Sequence, residues 1–500
     1  MSGTWERASS AAPWSLAAKA IRFGFSLATS MLVVRLLSAH DYGVLAIVRT
    51  ALAFVAAFVG FGMGSALIRY LPERETRGGG GVALFRFCSL VQAAGWIAFT
   101  ALAWLLREPL DRFYGSPVGT PLVVGLALLS GNLLFSLASN SLTAVFRTRR
   151  LAGLQGLLSV LILVLSWLAL RAGWGVIGVL AATSLPHLVL GAWAAISLMR
   201  SVSREPASPE RGRILRFAVP LAAIEVLNLI TWRQSETILL GHFRGPEEAG
   251  IWDVAYRLPQ LLLEFVPETI WPIVLAAFVV VYTRDPKRVA EMARHYFRLL
   301  FVLVTPITIF GTLYGDLLVQ VLYGAERAAS GPYARFFFLL FHVSFYGTPL
   351  SMTLYLIEKT WVNLALSAIF AAINLGLDFL FIPRYGLIGA IPPVAIAIGL
   401  SPLLRAWAVR RWHGPIGIPW RFLGRCYLAS ASVALFYPLR PYGGGPAGFA
   451  LLLVGATLLF LISVRLVRLF GPEERALIER SKAPGKAFLL RWLFPGEGSR

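Results

Sequence analysis

Fourteen apolar runs leave this chain almost no polar surface with which to meet water. They lie at 13–38, 42–68, 82–106, 120–146, 152–171, 174–199, 213–241, 250–282, 297–322, 333–356, 361–382, 386–409, 419–438 and 446–470. A helix needs about 20 mainly apolar residues to cross the hydrocarbon core of a bilayer. Charged residues make up only 14% of the chain, against about 25% in soluble proteins. Too few remain to coat a water-soluble body of this size. The expected fold class is all-α: a polytopic membrane protein of about fourteen transmembrane helices. The eighth run is the most polar and the thirteenth the shortest, so the count reads between twelve and fourteen.

The charges that do occur are placed unevenly. Lys and Arg number 46 against 25 acids, a net charge of +21. In a soluble protein that balance would suggest nucleic acid. Here the cations concentrate in alternate connectors: Arg74 and Arg77; Arg147, Arg149 and Arg150; Arg200, Arg204, Arg211 and Arg213; Arg284, Lys287, Arg288 and Arg294; Arg410 and Arg411. The tail adds Arg475, Arg480, Lys482, Lys486 and Arg491. Only Lys359 marks the connector after the tenth run. Basic residues stay cytoplasmic, facing an anionic leaflet. The alternation therefore expects both termini in the cytoplasm, membrane lipids as partners and no nucleic acid. No cleavable signal peptide is expected, since Lys19 and Arg22 interrupt a first run long enough to span.

Soluble chemistry finds no footing. The six histidines are scattered without ligand spacing, and Cys88 and Cys426 sit singly in apolar runs. No phosphate-cradling G-x-x-x-x-G-K-[ST] loop and no G-x-S-x-G elbow occur. The expectation is no metal, no cofactor and no enzyme.

An internal repeat organises the runs. Asp41-Tyr42-Gly43 opens the second run and Glu248-Ala249-Gly250 the eighth, and from Gly43 to Gly250 is 207 residues. Gly175-Val176-Ile177-Gly178 opens the sixth and Gly386-Leu387-Ile388-Gly389 the twelfth, an offset of 211. Two matches in order at similar spacing describe two six-helix halves. An even number of spans per half makes the repeat parallel, an architecture common in transporters. The expected organisation is a six-helix bundle at 1–200, a cytoplasmic linker at 201–212, a second bundle at 213–411, two extra helices at 412–470 and a basic tail at 471–500.

Ionisable residues deep in a span cost about 2.5–3.5 kcal/mol each on insertion scales and usually face a cavity. The first run carries Lys19 and Arg22 on one helical face, and the second carries Arg49. The eighth carries the longest stripe: Asp253, Arg257, Gln260, Glu264 and Glu268, spaced three or four apart. The seventh adds Glu225, Arg233 and Glu236, and the eleventh adds Asn374 and Asp378. Arg49 and Arg257 occupy nearly equivalent positions in the two halves. Cations from both halves suit an anionic headgroup such as a phosphate. Lys19, Arg22, Arg49, Arg233, Arg257 and Gln260 are therefore candidate substrate contacts. Glu225, Glu236, Asp253, Glu264, Glu268 and Asp378 are candidate cavity acids for ion coupling. Internal pairing, Asp253 with Arg257 or Glu236 with Arg233, is the alternative.

Several phrases resemble a known family. Arg35-Leu36-Leu37-Ser38-Ala39-His40-Asp41-Tyr42-Gly43, then Phe61-Gly62-Met63-Gly64-Ser65-Ala66-Leu67-Ile68-Arg69-Tyr70-Leu71, is similar to the N-terminal signature of polysaccharide biosynthesis flippases. Phe217-Ala218-Val219-Pro220 and Ile382-Pro383-Arg384-Tyr385-Gly386 resemble their later phrases. These flippases belong to the multidrug/oligosaccharidyl-lipid/polysaccharide exporter superfamily. The resemblance implies alternating access and a polyprenyl-diphosphate-linked oligosaccharide as cargo, moved across a bacterial inner membrane for O-antigen, capsule or exopolysaccharide export. It implies a polysaccharide polymerase and glycosyltransferases as neighbours in the pathway. Its motifs mark the family and not the glycan. Arg233 and Glu236 together depart from the family's more acidic pattern there, which leaves the coupling ion open. The competing readings are a drug/cation antiporter of the same superfamily and a membrane polymerase or ligase.

Overall fold

The computed structural model describes residues 2–76, 79–145, 147–200, 202, 210–232, 235–285, 288–472, 475, 479, 490 and 492–494. Sixteen α-helices follow in order: α1 (Ser2–Leu36), α2 (Ala39–Gly60), α3 (Met63–Thr76), α4 (Gly81–Tyr114), α5 (Gly119–Ala144), α6 (Thr148–Arg171), α7 (Gly175–Met199), α8 (Arg211–Trp232), α9 (Ser235–Phe243), α10 (Pro246–Arg284), α11 (Val289–Tyr323), α12 (Gly331–Ser344), α13 (Thr348–Leu356), α14 (Thr360–Trp412), α15 (Trp420–Ala431) and α16 (Pro446–Leu466). Short 3-10 segments at Ala325–Ser330, Phe345–Gly347 and Ser432–Gly443 join some of them. No strand occurs among the described residues.

Among the described residues ten helical stretches are long and apolar enough to cross a membrane, and α8 with α9 makes an eleventh if that bent pair is one span. One of the ten, Trp361–Trp412, is 52 residues long. It contains a kink at Gly386 (φ 58°, ψ −135°) where the sequence divides the eleventh and twelfth runs. With that division, and with α1 and α10, the helices account for the fourteen expected spans. The protein is thus a helical polytopic membrane protein. Its surface agrees: Leu90, Leu105, Leu451 and Leu466 are 70% to 76% exposed. Side chains of that kind suit lipid rather than water.

Local signals set the helix ends. Ser38 caps α2, its Oγ accepting from the Asp41 N–H at 3.0 Å. Pro246 opens α10 with Glu247 and Glu248 in the first turn, where the helix dipole favours acids. Gly175 and Gly386 both adopt positive φ, at 50° and 58°. They hold the matching places that the sequence repeat assigns them. Near helix ends the cation of Arg107 lies 4.6 Å over the Trp104 ring, and Arg150 lies 5.7 Å over Trp193. Amphipathic pairs of this kind anchor spans at the bilayer interface.

By contacts the chain falls into two compact units: Met1–Asp253 with Leu364–Ala397, and Val254–Asn363 with Ile398–Arg500. These packing units cut across the repeat. In the first, α5 packs along α7 and α4, and α1 along α6. Its core gathers Met63, Leu67, Leu84, Phe85, Cys88, Leu142 and Leu198. In the second, α11 packs along α12 and α15. Its interior is aromatic, with Tyr256, Phe297, Phe301, Phe337 and Phe338 all below 2% exposed. A polar chain that starts in the interior holds α15: Thr308 Oγ1 to His342 Nδ1 at 3.0 Å, His342 Nε2 to the Tyr427 hydroxyl at 2.5 Å, and Tyr427 to the Tyr346 hydroxyl at 2.9 Å. An ion pair between Arg440 and Asp316 ties Ser432–Gly443 to α11.

Candidate functional site

The most concentrated buried polar group lies in the first unit, where α9 meets α14. Asn374 and Asp378 stand four apart on one face of α14, and both are fully buried. Glu236, 2% exposed, sits in the first turn of α9 beside Ser235. Asn374 bridges the two acids, its Nδ2 donating to Glu236 Oε1 at 2.7 Å and to Asp378 Oδ2 at 3.2 Å. Ser235 Oγ lies 3.5 Å from both Asn374 Nδ2 and Asp378 Oδ2. Asn374 Oδ1 and Asp378 Oδ1 are buried without a hydrogen-bond partner among the described residues.

Two carboxyls buried on one amide need a counter-charge, because an uncompensated charge in a low-dielectric interior is costly. The described residues pair neither with a cation, and Arg233 lies outside them. The donor set is all oxygen: two carboxyls, an amide carbonyl and a hydroxyl. Hard cations take such ligands, and a proton shared between the carboxyls also balances the charge. No cluster of three His, Cys, Asp or Glu occurs among the described residues. Two acids suit a proton or a monovalent cation better than a multivalent metal.

The eighth-run stripe is divided. Asp253 is fully buried, and the Tyr42 hydroxyl donates to its Oδ2 at 2.5 Å. Beside this bond the repeat-equivalent glycines touch: a Cβ on Gly250 would stand 3.2 Å from the Gly43 Cα, and one on Gly43 would run into the Pro246 carbonyl. We expect Gly43→Ala to cost at least about 1–3 kcal/mol through this backbone collision. A fall in detergent-stable protein on gel filtration would show it, and unchanged yield and melting would refute the tight crossing. Further along α10, in the second unit, Arg257, Gln260 and Glu264 are half-buried and Glu268 is exposed. Gln260 Nε2 donates to Glu264 Oε1 at 3.3 Å.

The remaining candidates lie in the first unit. Lys19 and Arg49 are half-buried, and Arg22 and Glu225 are exposed. The structure thus assembles Glu236 with Asp378 through Asn374, bonds Asp253 to Tyr42, and bonds Gln260 to Glu264. Tyr42 and Ser235 were not among the candidates. Ser235 carried a signal, since it precedes an acid at the start of α9. Tyr42 carried none beyond its place in the repeat.

The described residues form an all-helical, polytopic membrane fold with buried acids in its spans. The structure is similar to that of a lipid II flippase MurJ in an inward closed conformation, with a TM-score of 0.72 and 13% identity, covering 91% of this chain and 98% of that one. It is also similar to an inward-facing multidrug resistance MATE family transporter of the MOP superfamily, with a TM-score of 0.60 and 16% identity over 80% and 97% of the two chains. The model of the polysaccharide biosynthesis protein family matches residues 32–330, and the chain belongs to that family. The succinoglycan biosynthesis transport protein ExoT of Rhizobium meliloti (strain 1021) is 26% identical over 331 residues, 64% of this chain and 63% of that protein.

Proposed function

We propose that this protein is a flippase that carries a polyprenyl-diphosphate-linked oligosaccharide across the bacterial inner membrane by alternating access, for polysaccharide export. The observation that carries the reading is the family match across residues 32–330. Fold alone does not separate the alternatives, since lipid II flippase and multidrug transporter structures both resemble it. The family and the ExoT similarity favour a saccharide-linked cargo over a drug. In this reading Lys19, Arg22, Arg49, Arg233, Arg257 and Gln260 serve the anionic headgroup. Glu236 and Asp378, joined by Asn374, bind the coupling proton or monovalent cation. Glu225, Glu264 and Glu268 balance the cavity charge.

The test is reconstitution in liposomes with a fluorescent polyprenyl-diphosphate disaccharide, read by quenching from one side. Protein-dependent flipping of this lipid, with no uptake of a cationic dye, is the expected result. Uptake of the dye with no flipping would establish the antiporter reading instead.

The orientation is part of the proposal: the basic connectors favour both termini in the cytoplasm. Reporter fusions at Gly79 and Arg288 should read cytoplasmic, and one at Gly115 external. A cytoplasmic signal at Gly115 would overturn the orientation.

A further inference from the structure

The second span is interrupted between α2 and α3, and both of its ends grip the second repeat. Helix α2 ends at Gly60 and α3 begins at Met63. Between them Phe61 and Gly62 both take left-handed backbone, with φ of 46° and 66°. Glycine adopts that conformation freely, whereas phenylalanine rarely does. A break inside a bilayer also frees backbone groups that water cannot satisfy. Here one is met from outside the span: Gln92 on α4, 5% exposed, donates from Nε2 to the Gly60 carbonyl at 3.2 Å. Its Oε1 is buried with no hydrogen-bond partner among the described residues. The break is seated on α8, where a Cβ on Gly62 would stand 3.0 Å from the Ala218 Cα.

The two ends are held differently. At the Tyr42 end, the hydroxyl bonds Asp253 of α10 inside a closed glycine crossing. At the other end, Arg213 of α8 forks onto Glu73 of α3 at 3.2 and 3.4 Å. That pair is accessible, with the Arg213 side chain 43% exposed. Exposed ion pairs are weak and screened by salt. One span therefore bears a buried latch and a breakable latch at its opposite ends, with a strained, externally supported joint between.

We infer that α2 and α3 form a jointed lever in which release of the Glu73–Arg213 latch tightens the Tyr42–Asp253 latch, and the reverse, through the Phe61–Gly62 joint. This rests on the transport reading and on the orientation proposed with it, which puts Tyr42 at the outer end. The lever supplies that reading with the element that keeps both faces from opening together.

A cysteine at Ala46 tests it. Ala46 lies one turn into α2 from Tyr42 and is 1% exposed. The full chain carries Ala46→Cys with Cys88→Ala and Cys426→Ala, is reconstituted in liposomes, and is labelled by an impermeant maleimide from the outer side. No cargo is added, so failure of the saccharide reading would not disturb the readout. Tyr42→Phe should raise the labelling rate about 3- to 10-fold, the effect of losing one hydrogen bond. Glu73→Gln should lower it, because an inner face free to open holds the outer face shut. Phe61→Gly, which loosens the joint, should erase the Glu73→Gln effect. Two independent braces would instead give increases from both lesions, or no response to Glu73→Gln. Either result overturns the lever. A second probe, Ala249→Cys, reads the same seam from α10 and decides the matter if the Ala46→Cys protein fails to fold.

Discussion

Replacing Glu236 by Gln and Asp378 by Asn together is expected to leave a folded protein whose transport no longer responds to an imposed proton or cation gradient. Both carboxyls are buried on one bridging amide. In the proposed cycle their charge is balanced by the coupling ion that occupies the site, so occupancy follows the gradient. The amide variants need no counter-charge, and the site then reads as permanently neutral. Amides of the same shape spare the cost of keeping carboxylates in a low-dielectric interior. The melting temperature should therefore hold or rise while gradient-driven flipping falls by about 10-fold or more, the effect of removing roughly 1.4 kcal/mol of differential binding. Measuring flipping in liposomes with the gradient imposed and collapsed separates the two terms. If the double variant keeps its full gradient response, coupling lies elsewhere. The single variants tell which ion is used: a bound metal cation needs at least one carboxylate, so Asp378→Asn should shift the cation concentration for half-maximal transport upward.

How much of this was readable beforehand depended on distance along the chain. The spans were legible because a bilayer imposes a length and a composition on each helix, and no packing detail is needed to see them. The repeat was legible because its turns keep small residues where chains cross or reverse, as at Gly43 with Gly250 and at Gly175 with Gly386. Asn374 and Asp378 were legible as one face because they are four apart. That this face meets Glu236, 138 residues away in sequence, depends on how α9 and α14 pack, and no local pattern encodes it. The same holds for Asp253. Its spacing aligned it with Arg257 and Glu264, but no spacing foretold its bond to Tyr42, which belongs to the other repeat. The break at Phe61 was hidden for another reason: Gly62 permits left-handed backbone, but nothing in an aromatic residue advertises it.

Arginines at Arg22, Arg49 and Arg257 are expected to carry the second large effect. In the proposed cycle the cargo's diphosphate must leave water and enter a cavity in the membrane, and only fixed cations compensate that loss of hydration. A guanidinium can hold two phosphate oxygens at once in a planar fork, which an ammonium cannot copy. Charge-assisted hydrogen bonds of this kind contribute about 1.5–3 kcal/mol each, so every Arg→Ala change should raise the substrate concentration for half-maximal flipping about 10- to 100-fold. Arg→Lys should restore only part of the loss. In cells the lipid-linked precursor should accumulate on the cytoplasmic side while exported glycan falls. Arg49 and Arg257 also have interaction partners within the fold, so a purely structural role makes a competing forecast: less folded protein, with normal flipping per molecule. Quantifying membrane-inserted protein beside flipping separates the two. If all three alanine variants flip normally at normal abundance, the diphosphate is held by other groups, and the half-buried Lys19 and Gln260 become the next positions to replace.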